Sequence, residues 1–146
     1  MMSKRGMSSS LFRMIKNAEK DRFHQFLERV GRHGPNGLKL AVNTRNEDNL
    51  TPLMFAVLNK SRLGGKKRAS ENGRALTAII DELLNTDGID LNAVDGWGRT
   101  ALHLAASNND QMSCQQLTEA GCDPSIEDDD YFIASSYALD AETSDI

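Results

Sequence analysis

Apolar side chains recur along the chain with the three-to-four-residue spacing of amphipathic helices. Residues 11–17 and 21–30 carry one such stripe, which consists of Leu11, Met14, Ile15, Phe23, Phe26, Leu27 and Val30. Residues 75–85 carry a second stripe, made of Ile79, Ile80, Leu83 and Leu84. Residues 101–107 and 110–120 have helical periodicity as well. The pattern therefore predicts short helices arranged in successive pairs.

Residues that start or stop helices bound these segments. Thr100 stands where an N-cap is needed, and Gly121 stands where a left-handed C-cap would close the helix over 110–120. Asn108 and Asn109 are suited to the turn between the last two helices. Residues 31–34, with Pro35 behind them, are expected to stop the helix over 21–30.

The chain also repeats itself. Residues 43–56 align with residues 92–105 at a shift of 49, and the shared residues are Asn43/Asn92, Thr51/Thr100, Leu53/Leu102 and Ala56/Ala105. A fainter copy follows after 33 residues, with Gly121, Asp123 and Ala138 opposite Gly88, Asp90 and Ala105. The excess of the first spacing falls at residues 60–74, which are rich in glycine and charge. We therefore predict an inserted loop there.

These segments resemble the ankyrin repeat, whose pattern is Asp-x-x-Gly-x-Thr-Pro-Leu-His-x-Ala, two helices and a Leu-Leu-x-x-Gly ending. The best copy matches at Asp95, Gly98, Thr100, Leu102, His103 and Ala105, and the preceding ending matches at Leu83, Leu84, Gly88, Asp90, Leu91 and Asn92. Ala101 replaces the usual proline, the copy at 46–56 is weaker, and the last copy is degenerate. The resemblance implies an all-α solenoid of stacked antiparallel helix pairs joined by β-turn or hairpin loops.

The domain organisation that follows is a single repeat domain over residues 11–139. It comprises a cap helix pair (11–40), a repeat with the inserted loop (41–91, loop 60–74), a second repeat (92–124) and a degenerate final repeat (125–139). Residues 1–10 are expected to be disordered, and residues 140–146 to form a flexible acidic tail.

Most residues of the repeat pattern have structural explanations. Gly98 and Asn49 are expected at positive φ, a conformation that glycine adopts freely and asparagine tolerates. Thr51 and Thr100 are predicted helix caps. His103 is expected to hydrogen-bond to Thr100 or to a neighbouring carbonyl, which is a structural role and not a catalytic one.

Charge is distributed unevenly over the 146 residues. The formal net charge is −4, but residues 1–74 carry sixteen Lys/Arg and six Asp/Glu, whereas residues 75–146 carry only Arg99 against fifteen Asp/Glu. The basic half is therefore a possible site for an acidic partner. The acidic half makes nucleic-acid binding unlikely.

Candidate chemistry is sparse. The three histidines lie in no nucleophile or metal pattern, and Cys114 and Cys122 are expected to be reduced thiols without a metal. Residues 127–130 lack the spacing of a calcium loop. We predict no enzyme activity, no cofactor, no membrane span and no secretory signal, and hence a cytoplasmic protein, with nuclear or host-delivered locations as alternatives.

By position, the resemblance implies that partners contact the turn tips and the first helices of the repeats. The turn-tip candidates are Arg45, Asn46, Glu47, Asp48, Val94, Asp95, Trp97, Arg99, Asp129 and Asp130. The first-helix candidates are Met54, Phe55, Asn59, Leu104, Ser107 and Asn108. Trp97 is the strongest single candidate, because tryptophan is enriched at binding hot spots; packing on an adjacent turn is the alternative.

A second candidate surface is the basic loop, with Lys60, Arg62, Lys66, Lys67 and Arg68. It is suited to an acidic partner, nucleic acid or an anionic surface, or is simply solvated. The leading hypothesis is a protein-binding adaptor, inhibitor or scaffold. A secreted bacterial effector that engages a host protein, electrostatic self-association and nucleic-acid binding are the alternatives.

Overall fold

The computed structural model describes residues 4–63 and 71–143. Helices are the only regular elements in these two ranges, which bears out the all-α prediction. They are α1 (Lys4–Lys16), α2 (Lys20–Gly31), α3 (Pro35–Val42), α4 (Pro52–Leu63), α5 (Glu71–Leu84), α6 (Ala101–Ser107), α7 (Gln111–Ala120) and α8 (Ala134–Thr143).

The helices stack in two rows. Helices α1, α4, α6 and α8 contact one another in that order, and α2, α5 and α7 form the second row. The pairs α1/α2, α4/α5 and α6/α7 join the rows, while α3 packs on α1 and α2. The stack therefore consists of helix pairs that each touch mainly their neighbours, as in repeat proteins.

A continuous apolar core fills the space between the rows. The predicted N-terminal stripe is buried except for Val30, which is half-buried. Ile79, Ile80 and Leu83 of α5 are completely buried, and burial of each such side chain contributes about 1.5–3 kcal/mol. Ala56 and Ala105 are also fully buried, and their small side chains let paired helices approach closely.

The predicted helix caps of the best repeat are present. The Thr100 hydroxyl accepts a hydrogen bond from the backbone N–H of His103, and the His103 Nδ1 accepts one from the backbone N–H of Thr100. Gly121 closes α7 at φ 103° as predicted, whereas Asp110, predicted as the first residue of this helix, is its N-cap. Since these bonds satisfy backbone groups at the helix ends, they set where α6 and α7 begin and end.

Two asparagines at equivalent repeat positions link successive inter-repeat loops, which lie at 43–51, 85–100 and 121–133. Asn43 accepts a hydrogen bond from the backbone N–H of Asp90 (2.7 Å) and donates to the carbonyl of Gly88 (2.8 Å). Asn92 accepts from the backbone N–H of Asp123 (2.8 Å). The asparagine identity in the repeat alignment therefore reflects a hydrogen bond between neighbouring loops.

Helix α3 is an element that the sequence analysis missed. Residues 31–34, with Pro35 behind them, are predicted to stop the preceding helix, but Pro35 also begins a new one, since it lies in the first turn of α3, where no backbone N–H is needed. Gly34, at φ 110°, redirects the chain between the two helices. Burial of Ala41 and Val42 then anchors the far end of α3 against the core.

Three predicted boundaries also differ. Helix α1 begins at Lys4, so residues 4–10 are not disordered; Met7 packs against the core, and Thr44 hydrogen-bonds to Ser8. The loop predicted at 60–74 is shorter, because its two ends belong to α4 and α5; residues 64–70 lie outside the described ranges. Helix α8 continues through Thr143, into the predicted flexible tail.

Candidate functional site: the turn tips

The repeats are joined by turns that share one hydrogen-bond scheme. Each turn starts with Asn46, Asp95 or Asp128, and this residue's backbone N–H donates to the carbonyl four residues later, at 3.0, 2.9 and 2.9 Å respectively. The side-chain Oδ1 of the same residue accepts from the backbone N–H groups two and four residues on. A short acceptor side chain therefore fixes the turn conformation, as is usual for Asn and Asp.

In the second turn, Asp95 holds Arg99, and Arg99 holds Trp97. The buried Asp95 Oδ2 accepts from the Arg99 Nε at 2.9 Å and from its Nη2 at 2.8 Å. The guanidinium then lies 5.1 Å from the centre of the Trp97 ring. Trp97 remains 64% exposed, so it presents an open ring face in an orientation that a cation restricts.

Neighbouring turns contact one another directly. The Arg45 Nη1 donates to the carbonyl of Val94 at 2.6 Å, from the first turn to the second. The Asp129 backbone N–H donates to the carbonyl of Trp97 at 3.0 Å, from the third turn to the second. Gly98, at φ 74°, allows this approach, because a Cβ there would lie 3.0 Å from the Asp129 nitrogen. The three turns therefore form one continuous row.

The third turn adds two aromatic residues that sequence reasoning missed. Tyr131 is 81% exposed and Phe132 is 50% exposed. The Phe132 ring lies edge-on to Tyr137 with centroids 6.0 Å apart, and the His103 Nε2 bonds to the Phe132 carbonyl at 2.8 Å. The available signal was the 33-residue offset, which places Tyr131 at the position of Gly98. Val94, Trp97, Tyr131 and Phe132 are the exposed large apolar side chains of the second and third turns, and we call this set the aromatic edge.

Asp128 and Tyr137 fix the base of the third turn. The Tyr137 hydroxyl donates a hydrogen bond to the Asp128 carboxylate. This bond, with the backbone bonds from Phe132 and Asp130, lowers the pKa of Asp128 below its ordinary value. The same hydrogen bond, reinforced by burial, raises the pKa of Tyr137 to about 12. At neutral pH the pair is therefore a carboxylate and a neutral phenol.

The family model for ankyrin repeats in many copies matches residues 68–117, which include the second turn and the helices on both sides of it. Residues 68–117 of the chain therefore match the ankyrin-repeat family. Its sequence is similar to the Neurogenic locus Notch protein of Drosophila melanogaster, with 34% identity over 93 residues, or 63% of the chain. It is also similar to the human Neurogenic locus notch homolog protein 1, with 34% identity over 87 residues (60% of the chain), and to the human Espin-like protein, with 40% over 62 residues (42%).

The chain spans about 3% of the length of these two Notch proteins and 6% of the Espin-like protein. The similarity therefore concerns a small part of each relative. Ankyrin repeats generally mediate protein–protein interaction.

The first-helix residues that ankyrin positions suggested as contacts are mostly not accessible. Met54 is 1% exposed and Leu104 is 2% exposed, because both point into the core between successive repeats. Asn59 is buried too, and its amide donates to the carbonyl of Phe55 at 2.8 Å. Phe55 is half-buried and packs edge-on against Phe12, with ring centroids 5.2 Å apart. The expectation that these residues form an open binding face is therefore corrected.

The remaining predicted contacts divide into exposed and internal residues. Glu47 and Asp48 of the first turn are exposed, as are Ser107 and Asn108 at the end of α6. Asn46 and Asp95 are turn anchors and do not lie at the tips. The structure therefore leaves the tips of all three turns and the end of α6 accessible, but brings Ser107 and Asn108 into no described contact with the aromatic edge.

Lys60, which was predicted to be part of an exposed basic surface, is mostly buried. Its ammonium lies 3.3 Å from the Asp110 carboxylate and donates to the Ser113 hydroxyl at 2.9 Å. The side chain is only 13% exposed, so it links α4 to α7 and does not face a partner. Arg62 is exposed near the end of α4, whereas Lys66, Lys67 and Arg68 lie outside the described residues.

No cluster of metal-binding side chains occurs in residues 4–63 and 71–143. Cys114 and Cys122 are free thiols. Burial raises the pKa of both, that of Cys122 to about 11. Within the same ranges, no helix has the length and apolar character needed to cross a membrane.

Proposed function

We propose that this ankyrin-repeat chain is a non-catalytic adaptor, inhibitor or scaffold that binds another protein through the aromatic edge. The observation that carries this proposal is the exposure of Trp97, which is held in place by the Arg99–Asp95 pair. Large exposed aromatic side chains at the surface of a folded protein are typical of interaction sites.

Preorganisation strengthens the case for Trp97. Its backbone N–H is bonded to Asp95, its carbonyl to Asp129, and its ring is covered on one side by Arg99. A side chain that is ordered before binding loses less conformational entropy when a partner docks, and this saving favours affinity.

The charges beside the aromatic edge indicate the chemistry of the partner. Asp129 and Asp130 are exposed at the third turn, and Glu127 is exposed next to it. Arg99, the only cation in residues 75–146, is already paired with Asp95. We therefore expect a partner surface that combines an apolar contact for Trp97 with Lys or Arg side chains. The same negative charge argues against nucleic acid.

The test uses Trp97→Ala, with Met112→Ala as the matched control. Met112 is also a large apolar side chain, 58% exposed, but it lies on α7. Proteins captured from a cell lysate by the wild-type chain are purified, and their affinity for both variants is measured by titration calorimetry. We expect Trp97→Ala to weaken binding by about 30-fold, as for a hot spot of about 2 kcal/mol, and Met112→Ala to leave it within twofold.

Trp97 also provides a direct readout, since it is the only tryptophan of the chain. Its fluorescence should shift to shorter wavelength when a partner covers the ring. Unchanged emission at saturating partner, or equal loss of affinity in the two variants, would show that the aromatic edge is not the binding surface. Circular dichroism of each variant confirms that the helices are retained.

A further inference from the structure

A basic groove runs along the first helix pair, far in sequence from the turn tips of the second and third repeats. It encloses about 520 Å³ and is lined only by residues of α1 and α2 and by residues that flank α2. Its cationic side chains are Arg13, Arg22, Arg29 and Arg32.

Helical spacing aligns these arginines. Arg22, Gln25, Arg29 and Arg32 follow one another at intervals of three, four and three residues, so they share one face of α2 and its C-terminal end. Arg13, on α1, lies across the groove from them. This stripe spans about 15 Å along the helix, and the buried side chains of Met14 and Phe26 form its floor.

The positive charge of the groove arginines is only partly neutralised by neighbouring carboxylates. The guanidinium groups of Arg13 and Arg32 make no hydrogen bond or ion pair within the described parts of the chain. Arg29 packs its guanidinium 6.0 Å from the centre of the Phe26 ring, and Arg22 approaches Glu19 only at 3.4 Å with its side chain 75% exposed. The four guanidinium groups outnumber the two carboxylates beside them and repel one another, and a bound anion relieves this repulsion.

We propose that this groove is a second binding site, which takes a short acidic segment of a partner protein. A 15 Å stripe matches about five extended residues. Arginine binds carboxylates through two parallel hydrogen bonds, and the exposed ends of these side chains are free to adopt that geometry. The segment lies across the arginine stripe, with an apolar side chain against the stems of the arginines above Phe26.

Two observations favour an acidic peptide over nucleic acid. Glu19 and Glu28 also line the groove, so a continuous polyanion meets carboxylates as well as arginines. Residues 75–146 carry fifteen Asp/Glu against one Arg, and this negative half repels a long nucleic acid that extends beyond the groove. A peptide of five residues can avoid both the groove carboxylates and the negative half of the chain.

The experiment measures binding of a fluorescein-labelled peptide, Glu-Glu-Phe-Glu-Glu, to the full chain by fluorescence anisotropy at low salt. The peptide Gln-Gln-Phe-Gln-Gln and a twelve-nucleotide single-stranded DNA are the comparison probes. Wild type should bind the glutamate peptide at least tenfold more tightly than either. The double variant Arg13→Gln/Arg29→Gln should weaken that binding at least tenfold.

The matched control is Arg62→Gln/Arg74→Gln, which removes the same charge from exposed arginines of α4 and α5 and should change affinity less than twofold. Glu28→Gln should strengthen binding two- to threefold, an effect that misfolding does not produce. Equal losses of affinity in the two double variants would show that the peptide responds to net charge and not to the groove. Tighter binding of the DNA than of the glutamate peptide would show that the ligand of the groove is nucleic acid. Either result overturns the proposal. Trp97→Ala should leave peptide binding unchanged, so the proposal for the groove and the proposal for the aromatic edge can be refuted separately.

Discussion

The second and third turns have the same backbone bonds but hold them with different chemistry. In the second turn, the outer oxygen of Asp95 is paired with the Arg99 guanidinium; in the third, the outer oxygen of Asp128 accepts from the neutral Tyr137 hydroxyl. Gly98 occupies the positive-φ position of the second turn, and Tyr131, at φ 66°, occupies it in the third.

The comparison shows which parts of the repeat pattern are essential to the turn. The acceptor side chain at the first position is retained in all three turns, whereas the glycine is replaced by Asn49 in one and by Tyr131 in another. Gly98 is needed for a local reason, because the third turn packs against it. Tyr131 has no described turn packed over it, so its large side chain points into solvent at a cost in backbone strain.

The largest expected effect comes from Asp95→Ala. This change removes the acceptor for two backbone N–H groups and leaves the Arg99 guanidinium unpaired, so the free energy of unfolding should fall by about 3 kcal/mol. Asn46→Ala removes only the two backbone bonds of the first turn and should cost about half as much. Urea denaturation measures both values. If Asn46→Ala costs as much as Asp95→Ala, the ion pair contributes nothing to the difference between turns.

Substitutions at the positive-φ positions of the second and third turns should change the free energy of unfolding in opposite directions. Gly98→Ala places a Cβ 3.0 Å from the Asp129 nitrogen in a left-handed conformation and should cost about 2 kcal/mol. Tyr131→Gly removes left-handed strain but increases the entropy of the unfolded chain, so a net gain of about 0.5 kcal/mol is expected. Thermal and urea unfolding give both numbers. A loss of stability in Tyr131→Gly would show that Tyr131 makes stabilising contacts that its exposure conceals.

The smallest expected effect is that of Tyr137→Phe, and it should depend on pH. Because the folded pKa of Asp128 is lowered, its hydrogen bond stabilises the fold above the ordinary pKa of 3.8 and is lost as the pH falls through the folded value. Because the pKa of Tyr137 is raised, the bond persists up to its ordinary value of 10.0 and is lost as the pH rises towards about 12. The stability difference between wild type and Tyr137→Phe should therefore be greatest between these limits.

Unfolding of the two proteins at pH 3, 5, 7 and 9 tests this expectation. The difference should be constant from pH 5 to 9 and smaller at pH 3. Asn46→Ala is the control, since its amide does not titrate and its effect should be less dependent on pH. A constant difference for Tyr137→Phe at all four values would contradict the role given to the Asp128 carboxylate.

Much of the fold was predictable, because the repeat pattern encodes local hydrogen bonds. Thr100, Asp110 and Gly121 act within a few residues of their own positions, and α6 and α7 therefore have almost the predicted bounds. Helix α3 was missed because Pro35 has the same local signature at a helix stop and at a helix start. Residues 4–10 were misjudged because Met7 is ordered by the core, which lies far away in sequence.

The candidate site was predictable only in part. Trp97 stood out because the repeat does not require an apolar residue there, but Tyr131 and Phe132 were overlooked in a degenerate copy. Met54 and Leu104 were misassigned because the position in the repeat gives the helix and not the depth to which a side chain is packed. Lys60 was misassigned for a similar reason, since its partner Asp110 is fifty residues away.

The bonds from Asn43 and Asn92 have a consequence for how the array melts. Each amide lies in one inter-repeat loop and accepts its hydrogen bond from the next loop, so a repeat that unravels alone leaves an unpaired polar group in the loop beside it. Such nearest-neighbour coupling makes partly melted arrays costly relative to fully folded and fully unfolded chains. The stack should therefore unfold as one cooperative unit, and a destabilising substitution at either end should lower the free energy of unfolding of the whole stack.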